Sequence, residues 1–395
     1  MNRPLIFTTS LALLSLTLPA RAAPTIDPAD DAAYFGPPDK ILFWTPEQQV
    51  AGYRNMDQLA PVRLVSASDQ PLALPERPLN LDAVAIPHDG GNMTVADYIE
   101  QQSVAGLLVI KDGAIVYERY GLGNDRNSRW ISYSVAKSVT SLLVGAAIQD
   151  GFITSVDEKV TDYLPRLKGS AYDQASIRDV LHMASGVAWD ETYDDPASDV
   201  NQASWETLAL YDYLRAKPRN STPGQLFNYN TAETNLVGTL LRAAVGNNLA
   251  TYLSEKIWRP FGMESDAFWQ LSEPGGGEFG GCCFNATLRD YGRLGLFALN
   301  QGRLVDGSPV LPAGWMAEST TPSPAYPGYG YLWWLKGEGS YQASGIFGQG
   351  IFIHPRENLV IALHSARPHA SRDADWALQT ALYTALTGAL KKPAP

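Results

Sequence analysis

Apolar and polar positions along the chain change their period several times. Residues 105–110 (Ala-Gly-Leu-Leu-Val-Ile) and 114–120 (Ala-Ile-Val-Tyr-Glu-Arg-Tyr) flank Lys111-Asp112-Gly113, the pattern of a β-hairpin with glycine in its turn. After a polar loop, residues 130–148 form an apolar run that stops at Asp150-Gly151, which predicts a buried helix with glycine just past its end. From Val156 to about Trp315 the period is helical, with segments over 176–183, 205–217, 231–245, 249–258 and 287–300 separated by Pro, Gly and Asp. Aromatic alternation over 329–335 then predicts a strand, 346–354 and 358–364 predict two more around Pro355-Arg356-Glu357, and 374–390 reads as an amphipathic helix. Ahead of the hairpin, 94–102 reads as a helix and Thr45-Pro46 predicts the start of a short one, with Thr as N-cap and Pro at the first position. Residues 23–40, rich in Pro, Asp and Ala, read as an extended surface arm.

Strands near both ends around a helical middle predict an α/β lobe plus an all-α lobe. The α/β lobe is one antiparallel sheet flanked by the terminal helices, and the helical lobe is inserted into the chain. The expected division is a signal peptide over 1–22, an arm and extension over 23–95, a sheet lobe from 96–165 and 318–395, and the inserted lobe over 166–317. A site is expected in a cleft between the lobes.

Composition narrows the function classes. With 395 residues, 45% hydrophobic and 18% charged, the chain is long enough for a large core, and a net charge of −11 argues against nucleic acid and anionic membranes as partners. Met1-Asn2-Arg3, an apolar run from Leu5 to Leu18, and Ala20-Arg21-Ala22 have the form of a cleavable secretory signal, so the mature protein is expected in the periplasm or outside the cell. The apolar run is shorter than the ~20 residues a membrane span needs, and no span is expected in the mature chain. The two cysteines, Cys282 and Cys283, are adjacent and are read as buried small residues rather than a vicinal bridge. The five histidines are scattered without metal-ligand spacing, so no metal or other cofactor is expected. No Gly-x-Ser-x-Gly elbow is present, which disfavours an α/β-hydrolase.

The chemistry is concentrated in the predicted helix of 130–148. Ser134 and Lys137 stand three apart and share one helix face, a nucleophile beside a candidate base. Lysine is a base only when unprotonated, and Val135, Ala136, Val139, Leu142 and Leu143 supply the apolar burial that lowers its pKa, with no carboxylate expected in contact. Near a helix start the Ser134 N–H also points at an oxyanion forming on an attacked carbonyl.

Three further stretches follow in order: Ile177-Arg178-Asp179-Val180-Leu181-His182-Met183-Ala184-Ser185-Gly186-Val187, Pro223-Gly224-Gln225-Leu226-Phe227-Asn228-Tyr229-Asn230-Thr231, and Gly345-Ile346-Phe347-Gly348-Gln349-Gly350. With the Ser-x-x-Lys pair they resemble the serine β-lactamase and D,D-peptidase superfamily, in the branch holding class C β-lactamases, family VIII carboxylesterases and aminohexanoate-dimer hydrolases. The resemblance runs from about Trp44 to the C-terminus. It implies a β-lactamase/transpeptidase-like fold, Ser134 as acylated nucleophile, Lys137 as its partner, Tyr229 as the phenol that relays the proton, and the N–H groups of Ser134 and Ile346 as oxyanion donors.

Two departures bear on substrate. Where β-lactamases and peptidases have Lys-Thr-Gly, this chain has Ala343-Ser344-Gly345, with no cation for a substrate carboxylate. Where many relatives have Tyr-x-Asn, Thr231 replaces the substrate-holding amide. The loop Trp189-Asp190-Glu191-Thr192-Tyr193-Asp194-Asp195-Pro196-Ala197-Ser198-Asp199 resembles the substrate-facing loop of the aminohexanoate-dimer hydrolases. Tyr193 is expected to meet a scissile amide there, and the carboxylates an ammonium end, unless the loop is simply a solvated acidic one. Tyr193, Thr231 and Gly345 are thus the expected substrate-binding residues. The expected activity is an exported serine hydrolase that cleaves a small-molecule amide or ester, most like an aminohexanoate-dimer hydrolase. The alternatives are a carboxylesterase, a β-lactamase or D,D-peptidase, and a non-catalytic penicillin-binding sensor.

Overall fold

The computed structural model describes residues 22–391, so the segment read as a secretory signal lies, apart from Ala22, outside the described residues. In chain order the strands are β1 Val62–Val65, β2 Ala85–His88, β3 Gly91–Thr94, β4 Val104–Lys111, β5 Ala114–Tyr120, β6 Arg129–Ile131, β7 Ala267–Gln270, β8 Phe284–Thr287, β9 Trp334–Leu335, β10 Tyr341–Ser344, β11 Gly350–His354 and β12 Leu359–Ser365. The helices that frame the site and its sheet are α1 Val95–Gln101, α2 Val135–Gln149, α3 Thr231–Val245, α4 Leu288–Leu299 and α5 Asp373–Leu390.

Six strands form one sheet in the order β5-β4-β12-β11-β10-β9, with every neighbouring pair antiparallel. The central strands β4, β12 and β11 are apolar over most of their length because both faces are covered. Leu107 and Val109 of β4 share a buried cluster with Leu378, Leu382 and Leu386 of α5, while Leu108 and Ile110 share another with Leu294 and Phe297 of α4. Each such side chain contributes roughly 1.5–3 kcal/mol on burial. The two ends of the chain therefore meet in one antiparallel sheet with helices on its faces, the architecture expected from the sequence.

Several elements differ from the expectation. A second sheet, β1-β7-β8-β6, gathers strands of three or four residues, and β8 is buried at all four positions, so it has no alternation to read. Helix α4, within the stretch read as the helical lobe, instead packs on β4, β11 and β12. Its Gly295 permits that approach, since a Cβ there would lie 2.4 Å from Val360 Cγ1. The strand expected over 329–335 shrinks to β9, with Tyr329 and Tyr331 turned into the core. The strand expected from 346 begins only at Gly350. Residues 345–349 form a tight turn closed by Gly345 N–H to Gln349 O at 2.8 Å and Gly348 N–H to Gly345 O at 3.0 Å. Cys282 and Cys283, read as unbridged, are joined in a disulfide.

The N-terminal arm is anchored rather than loose. Two short 3-10 helices, Pro28–Tyr34 and Pro38–Phe43, lead to a helix over Pro46–Tyr53 that opens with a Thr45/Gln48 capping box. Arg54 pairs with Asp31 at 2.6 Å through Nε, and Trp44 stacks on Tyr53 with ring centroids 5.9 Å apart. Tyr53 in turn meets the ring of Tyr133, the residue before Ser134, at 5.3 Å. No helix among the described residues is long and apolar enough to cross a membrane.

Candidate active site

Strand β6 delivers the chain through a bend into α2, with Ser134 at the N-cap. Tyr133 has φ +43°, a left-handed conformation that costs a residue with a side chain about 1–3 kcal/mol. Packing against Tyr53 and Phe347, the latter at 4.9 Å, holds it there. The spacing of three then does what helical geometry dictates: Lys137 Nζ lies 2.9 Å from Ser134 Oγ, and both side chains are buried.

The amine has two further neighbours, Thr231 Oγ1 at 2.9 Å and the Gly281 carbonyl at 2.8 Å. Burial pulls the Lys137 pKa down to about 7, opposed by the charge of Glu191. Tyr229 lies on the other side, its ring centroid 5.0 Å from Nζ and its phenol near the Ser134 hydroxyl. Burial raises the Tyr229 pKa well above the usual phenol value, the neighbouring Ser134 hydroxyl opposes that, and the Glu191 charge adds to it. Tyr229, far from them in sequence, is therefore brought beside Ser134 and Lys137.

Tyr229 is positioned by the two glycine-containing stretches singled out in the sequence. Gly224 N–H donates to Ala184 O, Asn228 N–H to Met183 O and Asn220 N–H to Gly186 O, each at 2.7 Å. Gly186 has φ +80°, and a Cβ there would meet the Ser221 carbonyl at 2.1 Å, so only glycine allows the two segments to touch. Asn230 turns away and caps α3 by accepting from Glu233 N–H at 3.0 Å. Thr231 faces Lys137 instead.

The Gly280-Gly281 doublet supplies the third neighbour of the amine. Thr140 Oγ1 donates to Gly280 O at 2.7 Å and Gly281 N–H donates to Asn235 Oδ1 at 2.8 Å, which fixes the turn between α2 and α3. A Cβ on Gly281 would sit 2.7 Å from Thr231 O. The doublet is thus both a fixed turn and the acceptor for the amine.

The opposite wall is the 345–349 turn. A Cβ on Gly345 would lie 2.5 Å from Ser132 O, so the turn comes against the backbone just ahead of the nucleophile. No acceptor among the described residues takes the N–H of Ser134 or of Ile346, which leaves both free for an incoming oxygen. Ser344 Oγ accepts from Gln342 Nε2 at 2.6 Å, and Ala343 is buried, so this strand carries no cation toward the site.

A carboxylate lies one hydroxyl away from Lys137, with Thr231 Oγ1 standing between Nζ and Glu191. Glu191 accepts from the Thr231 hydroxyl, from Thr231 N–H at 3.1 Å, from Tyr193 OH at 2.9 Å and from the Trp189 indole. The acidic loop is thus divided. Glu191 faces inward, Asp199 pairs with Lys217 and accepts from Tyr213 OH at 2.5 Å, and Asp194 and Asp195 are exposed. Of the two tryptophans near β9, Trp334 stacks on Tyr229 at 5.7 Å and Trp333 is buried in the core. His182 and His364 are also buried, packed on Tyr331 and Tyr291, and desolvation lowers their pKa values to about 4 and about 3. Among the described residues no group of three or more His, Cys, Asp or Glu is placed to hold a metal ion.

Comparisons with known proteins place this arrangement. The 6-aminohexanoate-dimer hydrolase of Paenarthrobacter ureafaciens is 29% identical over 344 residues, covering 80% of this chain and 85% of that protein. A solved Bacillus anthracis structure described as a "putative 6-aminohexanoate-dimer hydrolase" superposes with a TM-score of 0.78 at 23% identity, covering 87% of this chain and 94% of that one. A family VIII carboxylesterase structure superposes with a TM-score of 0.57 at 16% identity, covering 73% and 95%. The family model described as Beta-lactamase matches residues 92–384, a span that holds Ser134, Lys137, Tyr229 and the 345–349 turn. The chain belongs to the beta-lactamase family and is a hydrolase of the serine β-lactamase-like superfamily.

Proposed function

We propose that the protein cleaves an amide or ester bond of a small linear substrate through an acyl-enzyme on Ser134. The observation that carries this reading is the 2.9 Å contact of Ser134 Oγ with a buried Lys137 amine whose pKa is lowered to about 7. Ser134 attacks the carbonyl carbon while Lys137 takes its proton. The N–H groups of Ser134 and Ile346 hold the oxyanion. Tyr229 passes its proton to the leaving amine or alkoxide and is reprotonated from the Lys137 ammonium, and water, giving a proton to Ser134 Oγ, then cleaves the acyl-enzyme to release the acid.

A linear amide of the aminohexanoate-dimer type is the favoured substrate, supported by the 29% identical relative and by a strand without a cation to hold a β-lactam carboxylate. A carboxylesterase is the second reading, since the fold resembles that of a family VIII carboxylesterase and the strand of this chain carries no cation for a substrate carboxylate. Turnover of a linear aminohexanoate dimer, p-nitrophenyl butyrate and nitrocefin by one preparation separates them. The dimer is expected to be cleaved at least tenfold better than nitrocefin, and the reverse order overturns the substrate assignment. Because Lys137 must be neutral to accept a proton, kcat/KM is expected to rise with pH through about 7 and level off above it. A profile flat between pH 5 and 8 removes Lys137 as the base.

Residues 1–22 support export by a cleavable signal. N-terminal sequencing of the protein recovered from the periplasm is expected to begin at Ala23, and an intact Met1 there contradicts cleavage.

A further inference from the structure

Resting on the reading above, the geometry around Lys137 fixes where each proton must be. A neutral amine has two N–H groups and one lone pair, and Nζ has three neighbours: Ser134 Oγ, Thr231 Oγ1 and Gly281 O. The Gly281 carbonyl can only accept. The Thr231 hydroxyl has a single proton and stands between Nζ and a carboxylate oxygen of Glu191. A carboxylate also only accepts, so the Thr231 proton goes to Glu191 and an oxygen lone pair is left facing Nζ. Both amine N–H groups are then taken, one by Gly281 and one by Thr231. The nitrogen lone pair is left along the remaining direction, toward the Ser134 hydroxyl.

We propose that Glu191 is a positioning residue: by holding the Thr231 hydroxyl proton it turns the Lys137 lone pair onto Ser134. Nothing in the reaction requires Glu191 to touch substrate. Its own orientation is fixed by Thr231 N–H, Tyr193 OH and the Trp189 indole, three donors besides the hydroxyl it controls. A carboxylate held by four donors makes a rigid stop for a hydroxyl rotor. The groups that face the pair from the surrounding segments are Ser134 from α2, Tyr193 from the acidic loop, Tyr229 ahead of α3 and Tyr329 ahead of β9. Burial raises the pKa of all three phenols, so they are neutral near pH 7 and Glu191 is the charge that acts on Lys137.

The test uses Glu191→Gln, Thr231→Val and Thr231→Ser in the full mature enzyme. Glu191→Gln keeps the shape, but its amide can donate to Thr231 and reverse the rotor. It is expected to lower kcat by about 10- to 100-fold with KM little changed, as a misdirected base does. Removing the negative charge also disfavours the ammonium, so the acid limb of kcat/KM is expected to move to lower pH. Thr231→Val is expected to lose a similar factor, Thr231→Ser to recover most of it, and the Glu191→Gln/Thr231→Val pair to be no worse than Thr231→Val alone. Losses that multiply in the double variant, or an acid limb that stays in place, overturn the proposal and leave Glu191 a packing residue. Should Glu191→Gln fold poorly by circular dichroism, the Val and Ser variants carry the same comparison at position 231. Fluorophosphonate labelling of Ser134 in the unsubstituted enzyme keeps the two readings apart. An unlabelled Ser134 sinks the acyl-enzyme reading, whereas labelling at an unchanged rate in Glu191→Gln sinks the positioning role alone.

Discussion

Ser134→Ala is expected to lower kcat/KM toward any substrate the enzyme turns over by ~10⁴-fold or more, with little loss of stability. The hydroxyl is the atom to which the acyl group bonds, so no neighbouring group substitutes for it. Its removal costs the fold little, because Ser134 lies at the N-cap but makes no side-chain capping bond to α2. The substitution thus separates chemistry from folding, and the thermal midpoint is the control. A residual rate set only by oxyanion binding is expected. A variant that keeps a tenth of the activity places the nucleophile elsewhere.

Lys137→Ala is expected to cost nearly as much, ~10³-fold or more, because nucleophile and base act as a unit. Its second consequence is on stability, with a sign that follows from burial. The unfolded lysine titrates near 10.4 and the folded one at about 7, so between those values the unfolded chain binds the proton that the folded chain has released. Stability therefore rises with pH across that window through this group, and below about pH 7 the penalty for holding a buried ammonium is fully present. Denaturant unfolding at pH 7 and pH 9.5 is expected to show a larger gain for the unsubstituted protein than for Lys137→Ala. Equal gains mean that Lys137 titrates normally and is an ordinary ammonium.

The parts of the site that could be read from sequence are those set by short-range geometry. Ser134 and Lys137 meet because three residues of helix separate them, and the central strands β4 and β12 announce themselves as unbroken apolar runs covered on both faces. The Gly281 carbonyl, the Lys137 acceptor, carries no side-chain signal that sequence could show. Glu191 was one of several similar carboxylates in a loop. What distinguishes it is a rotamer set by Thr231, 40 residues on, together with Trp189 and Tyr193 beside it. Strands β1, β6, β7 and β8 escaped notice because they are short, and β8 is buried at every position, so neither length nor alternation marks them. The 345–349 segment looked like the start of a strand because its residues are apolar, yet Gly345 and Gly348 let it fold into the turn that faces Ser134.

The central claim is that one serine, Ser134, becomes covalently acylated. Incubating the protein with a fluorophosphonate or an activated ester and measuring the intact mass tests this most directly, with peptide mapping of any adduct. A single adduct per chain on the peptide containing Ser134, absent from Ser134→Ala and formed far more slowly in Lys137→Ala, is the predicted result. An unmodified protein, or an adduct on another residue, contradicts it.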